Sequence, residues 1–185
     1  VTEIVRRLRT FARLDEANFK LADLNEGLRD TLMLVAHRRK LGTELIEDLS
    51  HLPKIPCFPS QLNQVFLNLL VNAMQAIEGA GRVTVRSRGR PNAVEVEVED
   101  DGVGIPPEHI ERIFDPGFTT KGVRVGTGLG LSISYQIIQE HHGRIDVQSQ
   151  VGEGSRFTVT VPADLDVRLG RKPEVVTPNG LNMSR

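Results

Sequence analysis

Apolar positions recur at three- and four-residue steps through Val1, Ile4, Val5, Leu8, Phe11 and Ala12, while Arg6, Arg7, Arg9 and Arg13 fall elsewhere around the same turn. That spacing predicts an amphipathic helix already under way at the first residue. Asn18 to Ala22 reads as a short edge strand. Asp23 or Asn25 can then cap a helix that Leu24, Leu28, Leu32, Val35 and Ala36 carry to about Arg39. Thr43 to Leu49 has a strand pattern, and Pro53, Pro56 and Pro59 are expected to forbid regular structure until Ser60. Arg82 to Gly89 and Ala93 to Asp100 predict a hairpin with Arg90, Pro91 and Asn92 at its tip. A Gly- and Pro-rich loop from Asp101 through Pro107 leads into a short helix ending at Phe114. Asp115 to Thr127 has three glycines and no periodicity, so mobility is expected there. Leu129 to His142 is helical with Gly143 as its stop, and Arg144 to Gln150 and Gly154 to Val161 form a second hairpin around Gly152. From Pro162 onward the patterning weakens into a tail.

One helix departs from ordinary patterning. Between Gln61 and Gly79, Phe66, Leu70, Ala73 and Ile77 form one apolar stripe, and Val65, Leu69 and Ala76 form a second. Gln61, Gln64, Asn68, Asn72 and Gln75 line up on the narrow face between them. An amide oxygen can ligate a hard cation such as magnesium, and being neutral it adds no negative charge beside a triphosphate. A core helix whose amides pair with neighbouring backbone fits the same pattern, and this helix alone leaves both open.

Composition narrows the class. A chain of 185 residues suits one domain with an appended helix or tail, and 39% hydrophobic with 25% charged residues describes a soluble globular protein. The net charge of −1 gives no basic footprint for nucleic acid. No apolar run approaches the roughly 20 residues of a membrane span. The single cysteine, Cys57, excludes an internal disulfide framework, fits a reducing compartment, and between Pro56 and Phe58 reads as a buried thiol. A start at Val1 already in helical rhythm reads as a fragment of a longer protein. Hairpins mixed with helices predict an α/β (α+β) fold: a two-layer sandwich, its mixed, mostly antiparallel sheet covered on one face by helices.

Three further stretches carry candidate chemistry. In VEVEVEDDGVG the valines at 94, 96 and 98 alternate with glutamates, so Asp100 continues the buried row and Asp101 points outward. A carboxylate at the end of an apolar row needs a donor, which the exocyclic amine of adenine would supply, and Gly102 and Gly104 let a flat ring approach the backbone. A capped turn with a solvated Asp100 is the plain alternative. By the same parity Ser155 shares a face with Phe157, Val159 and Val161, where its hydroxyl could meet Asp100 and the base; otherwise it is a turn residue. GTGLGLSIS, residues 126–134, opens a helix whose N-terminal N–H groups and dipole favour phosphate. Lys121 and Arg124, just before it, either fold over those phosphates or stand in water.

Taken together, the amide helix, the D-x-G-x-G turn, the Gly/Lys segment and G-x-G-L-G-L resemble the ATP-binding domain of bacterial sensor histidine kinases, within the GHKL superfamily. The matching text is NLLVNA at 68–73, DDGVGIPPE at 100–108, IFDPGFTTK at 113–121, GTGLGLSIS at 126–134 and VGEGSRFTVTVP at 151–162, and the resemblance covers roughly residues 19–162. It implies ATP or ADP with Mg2+ as ligands, Asn72 as the metal-binding residue, and Asn68 in support of the phosphate side. It further implies that Asp100 reads adenine beside Gly102, Gly104, Ile105 and Ser155, with Gln75 near the nucleotide. Thr119, Thr120 and Lys121 would belong to the ATP lid, Lys121 with a part in catalysis, and Gly126, Thr127, Gly128, Leu129 and Gly130 would line the phosphates. Residues 1–17 would end the dimerisation and phosphoacceptor helix, 18–162 form the ATP-binding domain, and 163–185 be a tail.

This sequence departs from the family pattern at Asp101, where asparagine is frequent, at Gly117, where an aromatic is common, and at Gln75, where some relatives carry a basic residue. No histidine here is followed by an acidic residue, as the family's phosphoacceptor is, so His37, His51, His109, His141 and His142 read as surface or packing residues. The resemblance thus implies a histidine kinase catalytic domain whose acceptor histidine lies on helices of the same full-length protein outside this fragment. A response regulator receiver domain is the onward partner, and no nucleic acid is implied. A homodimer is expected for the full-length protein, the fragment alone allowing a monomer; the location is cytoplasmic, with a membrane anchor allowed elsewhere. Two rival readings are a superfamily ATPase, which would need a glutamate base where Asn68 stands, and a nucleotide-dependent binding module.

Overall fold

The computed structural model of the chain describes residues 18–36, 42–119 and 128–173. In chain order its elements are β1 (Lys20–Ala22), α1 (Leu24–Ala36), β2 (Thr43–Leu49), β3 (Ile55–Cys57), α2 (Pro59–Ala76), β4 (Gly81–Arg90), β5 (Ala93–Asp100), α3 (Pro107–Ile110), α4 (Gly130–Glu140), β6 (Arg144–Gln150), β7 (Gly154–Pro162) and α5 (Leu165–Leu169). Five strands form one sheet in the order β2-β4-β5-β7-β6, with β2 parallel to β4 and every other pair antiparallel. The expected mixed, mostly antiparallel sheet is therefore present.

Strand alternation decides which face is covered. Val83, Val85, Val94, Val96, Val98, Phe157, Val159 and Val161 are all buried, and their registers pair Val98 with Val85 on one side and Phe157 on the other. The helices close over this floor with Leu28, Leu32, Leu62, Val65, Phe66, Leu69, Leu70 and Ile138. Both stripes of α2 are thereby used, one against the sheet and one against its helical neighbours. The other sheet face is charged: Arg86 bridges Glu97 and Glu99, and Arg156 joins Glu99 from β7. Such solvent-facing pairs contribute little each, about 0–1 kcal/mol.

Local differences from the sequence reading have physical causes. The proline-rich stretch is not wholly irregular, because Ile55–Cys57 pairs antiparallel with β1, with Pro56 opposite Leu21. Proline is tolerated there because a two-stranded sheet needs donors on only one side. α2 starts at Pro59, a position where the missing N–H costs nothing. α4 ends at Glu140, before the expected His142, and it is His142 rather than Gly143 that takes the left-handed turn: His142 has φ 51, and the N–H groups of His142 and Gly143 bond the Gln139 and Ile138 carbonyls at 2.9 Å each. Gly143 is instead where a Cβ would lie 2.4 Å from the Thr160 carbonyl oxygen. Beyond Pro162 the chain forms α5, whose fully buried Leu165 packs it toward β3, so the fold extends past the boundary expected at 162. The expected helix over residues 1–17 and the end of the second helix near Arg39 lie outside the described residues.

Candidate functional site

The end of β5 and the end of α2 meet. Val103 donates its N–H to the Ala76 carbonyl at 3.1 Å, and a Cβ on Gly102 would stand 2.5 Å from the same oxygen. Asn72 lies one helical turn before Ala76, so its amide and the Asp100 carboxyl come to the same end of the sandwich. Asp100 is only 5% exposed, as the parity of its strand requires, and its Oδ1 accepts the Gly102 N–H at 3.0 Å. Asp101 is exposed, and its Oδ1 accepts the Arg82 N–H at 2.6 Å. Gly104 has φ +70, and a Cβ there would meet the Gln150 carbonyl oxygen at 2.1 Å. Both glycines of the turn are thus fixed by protein backbone, not by open space awaiting a ring.

Ser155 stands directly opposite Asp100 in the β5–β7 register and is 7% exposed. Its hydroxyl lies 2.9 Å from Ser149 Oγ. Ser149, on the edge strand β6, donates to the Gly154 carbonyl at 2.9 Å and accepts the Ile105 N–H at 2.8 Å. Sequence alternation along β6 offered no reason to single out Ser149; only the pairing of Ser149 with Ser155 across the hairpin makes it visible.

The middle of α2 is tied to the start of α4. Asn68 Nδ2 donates to the Gly130 carbonyl at 2.9 Å and to Ser134 Oγ at 3.1 Å, while its Oδ1 accepts from Gln64 Nε2 at 2.9 Å. Among the described residues Asn72, half-buried, makes no side-chain hydrogen bond, and Gln61 Oε1, earlier on the same row, is buried without a partner. Gln75 is exposed. At α4 the Leu129 cap carries no side-chain hydrogen bond, and the helix itself leaves the N–H groups of its first turn unused. Gly128 has φ +66, and a Cβ there would lie 2.5 Å from the Gly117 carbonyl carbon. Its own carbonyl accepts the Gly117 N–H at 3.1 Å. At Gly130 a Cβ would meet Asn68 at an ordinary 3.6 Å, so protein packing does not demand glycine there.

Ile105 is partly buried against the core, Thr119 is exposed and Leu129 is 45% exposed. Thr120, Lys121, Arg124, Gly126 and Thr127 lie outside the described residues, as does His37. Of the other histidines, His51 and His142 are exposed, whereas His141 is fully buried. Its Nε2 accepts the Phe58 N–H at 3.1 Å and its Nδ1 faces the Ile137 carbonyl at 2.8 Å, which fixes a neutral ring protonated on Nδ1. Burial pushes its pKa down. This link from the end of α4 to the start of α2 had no signal in the sequence. Among the described residues no three His, Cys, Asp or Glu side chains are grouped to hold a metal. A single amide oxygen near a helix N-terminus fits magnesium, which keeps most of its ligands as water and substrate oxygens.

The family described as histidine kinase-, DNA gyrase B- and HSP90-like ATPase matches residues 58–165. The sensor kinase CckA of Brucella abortus (strain 2308) is 38% identical over 177 residues, covering 86% of this chain and 18% of the relative. The sensor histidine kinase ZraS of Escherichia coli (strain K12) is 35% identical over 168 residues, covering 89% of this chain and 36% of the relative. The chain therefore spans well under half the length of these curated relatives. The nucleotide-free catalytic domain of histidine kinase ThkA superposes with a TM-score of 0.70 at 33% identity, covering 79% of this chain and 98% of that one. Full-length ShkA in complex with AMPPNP gives 0.72 at 30% identity, over 83% of this chain and 34% of that one. ThkA in complex with the response regulator TrrA gives 0.69 at 28% identity, over 89% of this chain and 50% of that one.

Proposed function

The chain belongs to the histidine kinase-, DNA gyrase B- and HSP90-like ATPase family, and from that premise we propose that it is the Mg-ATP-binding catalytic domain of a two-component sensor histidine kinase, donating the γ-phosphate to a histidine outside this chain. The observation that carries the reading is the convergence of three groups. The Asn72 turn of α2, the buried Asp100 and the open N-terminus of α4 are drawn together by the Val103–Ala76 and Asn68–Gly130 hydrogen bonds.

In this reading Asp100, with one oxygen held by Gly102, accepts a hydrogen bond from the 6-amino group of adenine. Asn72 offers an oxygen to the metal, and the first-turn N–H groups of α4 face the phosphates. Magnesium, when bound, neutralises charge on the β- and γ-phosphates. Asn68 fixes the distance between α2 and α4, so the two phosphate-facing elements are positioned before the nucleotide arrives. Its amide is no general base, and its donors are committed to α4, which disfavours the hydrolytic branch of the family. Thr119, Thr120 and Lys121 are assigned to the lid, Gly126 to the phosphates, and Gln75 and Ile105 to the rim of the site. The full-length protein passes phosphate to a response regulator, a partner class supported by the ThkA–TrrA complex, acts as a homodimer through helices carrying the acceptor histidine, and works in the cytoplasm, where ATP is held.

Calorimetric titration of this chain with Mg-ATP tests the site. Binding is expected, and Asn72→Ala should weaken it by about tenfold or more, as expected for a lost metal ligand or oriented polar contact, with the unfolding temperature unchanged. Equal affinities would remove Asn72 from the metal. Supplying helices with an acceptor histidine should then yield acid-labile phosphohistidine from γ-labelled ATP. Absence of transfer by folded, ATP-bound protein would leave a binding module.

A further inference from the structure

α4 is tied to α2 at both of its ends. At its start, Asn68 reaches the Gly130 carbonyl and Ser134 Oγ at 2.9 and 3.1 Å. At its finish, His141, the residue after Glu140, reaches across to the residue before α2, where its Nε2 accepts the Phe58 N–H at 3.1 Å. The direction of this bond is fixed. A backbone N–H can only donate, so Nε2 carries the lone pair and the proton sits on Nδ1, 2.8 Å from the Ile137 carbonyl. The ring is fully buried and stands edge-on to Phe58, with centroids 5.5 Å apart, while Phe58 leans on Phe19 at 5.1 Å. His141 therefore closes a rigid joint at the far end of an 11-residue helix, which puts about 16 Å of helix between it and the first turn.

From this we infer that His141 is a positioning residue for the phosphate end of the site: by joining the finish of α4 to the start of α2, it fixes the line of α4 and so the aim of its first-turn N–H groups relative to Asn72. The inference rests on the proposed reading of that helix end as phosphate-facing. Asn68 alone gives α4 a pivot, and His141 turns the pivot into an axis. A helix free to swing about one contact must be ordered when the nucleotide binds, and that ordering lowers affinity. Adenine, assigned to Asp100 on β5, does not depend on the line of α4. His141 touches no ligand itself.

The test sets the affinity of this chain for Mg-ATP, by calorimetry, against its affinity for adenosine, by NMR titration, with thermal unfolding as the check on folding. The amide of His141→Asn is too short to reach the Phe58 N–H, whereas the oxygen of His141→Gln can stand where Nε2 stood. Mg-ATP affinity should fall by about tenfold in His141→Asn, the lower end of the scale for contacts that support a metal site, and be largely restored in His141→Gln. Adenosine affinity should stay the same in both. The wild type supplies a second readout, because coupling between sites is reciprocal. Mg-ATP at saturation should slow hydrogen exchange of the Phe58 N–H relative to that of Val96 in the core, and adenosine should not. Unmoved Mg-ATP affinity in folded His141→Asn overturns the role of His141 and leaves the nucleotide reading standing. Equal losses of both ligands, or a loss in His141→Gln matching that in His141→Asn, do the same. Should His141→Asn not fold, the Phe58 exchange decides alone, and indifference to Mg-ATP overturns the role. Absence of Mg-ATP binding to the folded wild-type chain removes both the role and the site.

Discussion

Replacing Asn68 separates a structural bridge from a catalytic side chain. Asn68→Ala deletes three contacts: two donated to Gly130 O and Ser134 Oγ, and one accepted from Gln64. The damage is bounded by what remains. Ser134 Oγ still donates to the Gly130 carbonyl at 2.8 Å, and the half-buried Gln64 can turn to water. At a net value of about 1 kcal/mol per hydrogen bond the loss is about 2–3 kcal/mol. For a chain of this size that lowers the unfolding temperature by roughly 5–10 °C. Asn68→Asp is the sharper probe, because it is isosteric and keeps an acceptor for Gln64. It turns the donor end into a carboxylate oxygen facing the Gly130 carbonyl at the position now 2.9 Å away. Two acceptors then oppose each other with no proton between them, adding about 1–3 kcal/mol to the cost. Asn68→Asp should therefore be less stable than Asn68→Ala at pH 7. Those surroundings raise the folded-state pKa of the new acid above its ordinary value of about 3.9. Its stabilising, protonated form is then present at low pH and lost as pH rises, so the gap between the variants should close toward pH 4. Thermal unfolding followed by circular dichroism at both pH values reads this directly. The reasoning is refuted if the aspartate variant equals or exceeds the alanine variant at neutral pH, or if alanine leaves the midpoint unmoved.

Two other groups titrate or react in ways the fold dictates. Burial depresses the His141 pKa below its ordinary value of 6.5, and protonation would also set an Nε2–H against the Phe58 N–H. Its contribution is therefore complete above pH 6.5 and fades as pH falls through the depressed folded value, with a limiting slope of about 1.4 kcal/mol per pH unit. Urea unfolding between pH 5 and 8 should show this decline in the wild type and a flatter profile in His141→Gln; parallel profiles would exclude His141 as the cause. Cys57 is fully buried in β3, and burial pushes its thiol pKa up to about 12. A disulfide reagent at pH 8 should leave it unmodified in the folded chain and label it fully in denaturant, and rapid labelling under native conditions would contradict the burial.

What the sequence discloses here depends on whether a feature is set along one element or between two. Parity within β5 was enough to bury Asp100 and expose Asp101, and the same parity brought Ser155 opposite it, because side-chain direction in a strand is fixed by counting. The period of α2 likewise located its amide row. It could not say which neighbour each amide meets, and so Asn68 reads as phosphate support until Gly130 and Ser134 are seen against it. The strand at Ile55–Cys57 and the helix at Leu165–Leu169 escaped for the same reason: both are too short to carry a period and exist through tertiary pairing, the one with β1 and the other against β3.

The glycines make the point most sharply. Their spacing in D-x-G-x-G and G-x-G-x-G was read as room for a ligand, yet the spaces their missing side chains leave are filled by Ala76, Gln150 and Gly117. A glycine in a motif records that some backbone must come close, and the sequence does not say whose. In this chain the turn after β5 uses that closeness to lock itself onto the end of α2 and onto the β6–β7 hairpin. The groups assigned to the nucleotide are then positioned by contacts made within the protein. That arrangement is why preorganisation, more than direct approach of ligand to glycine, is the role these residues support. Among the described glycines of the two motifs, Gly130 alone meets nothing closer than ordinary contact, and it stands at the helix end assigned to the phosphates.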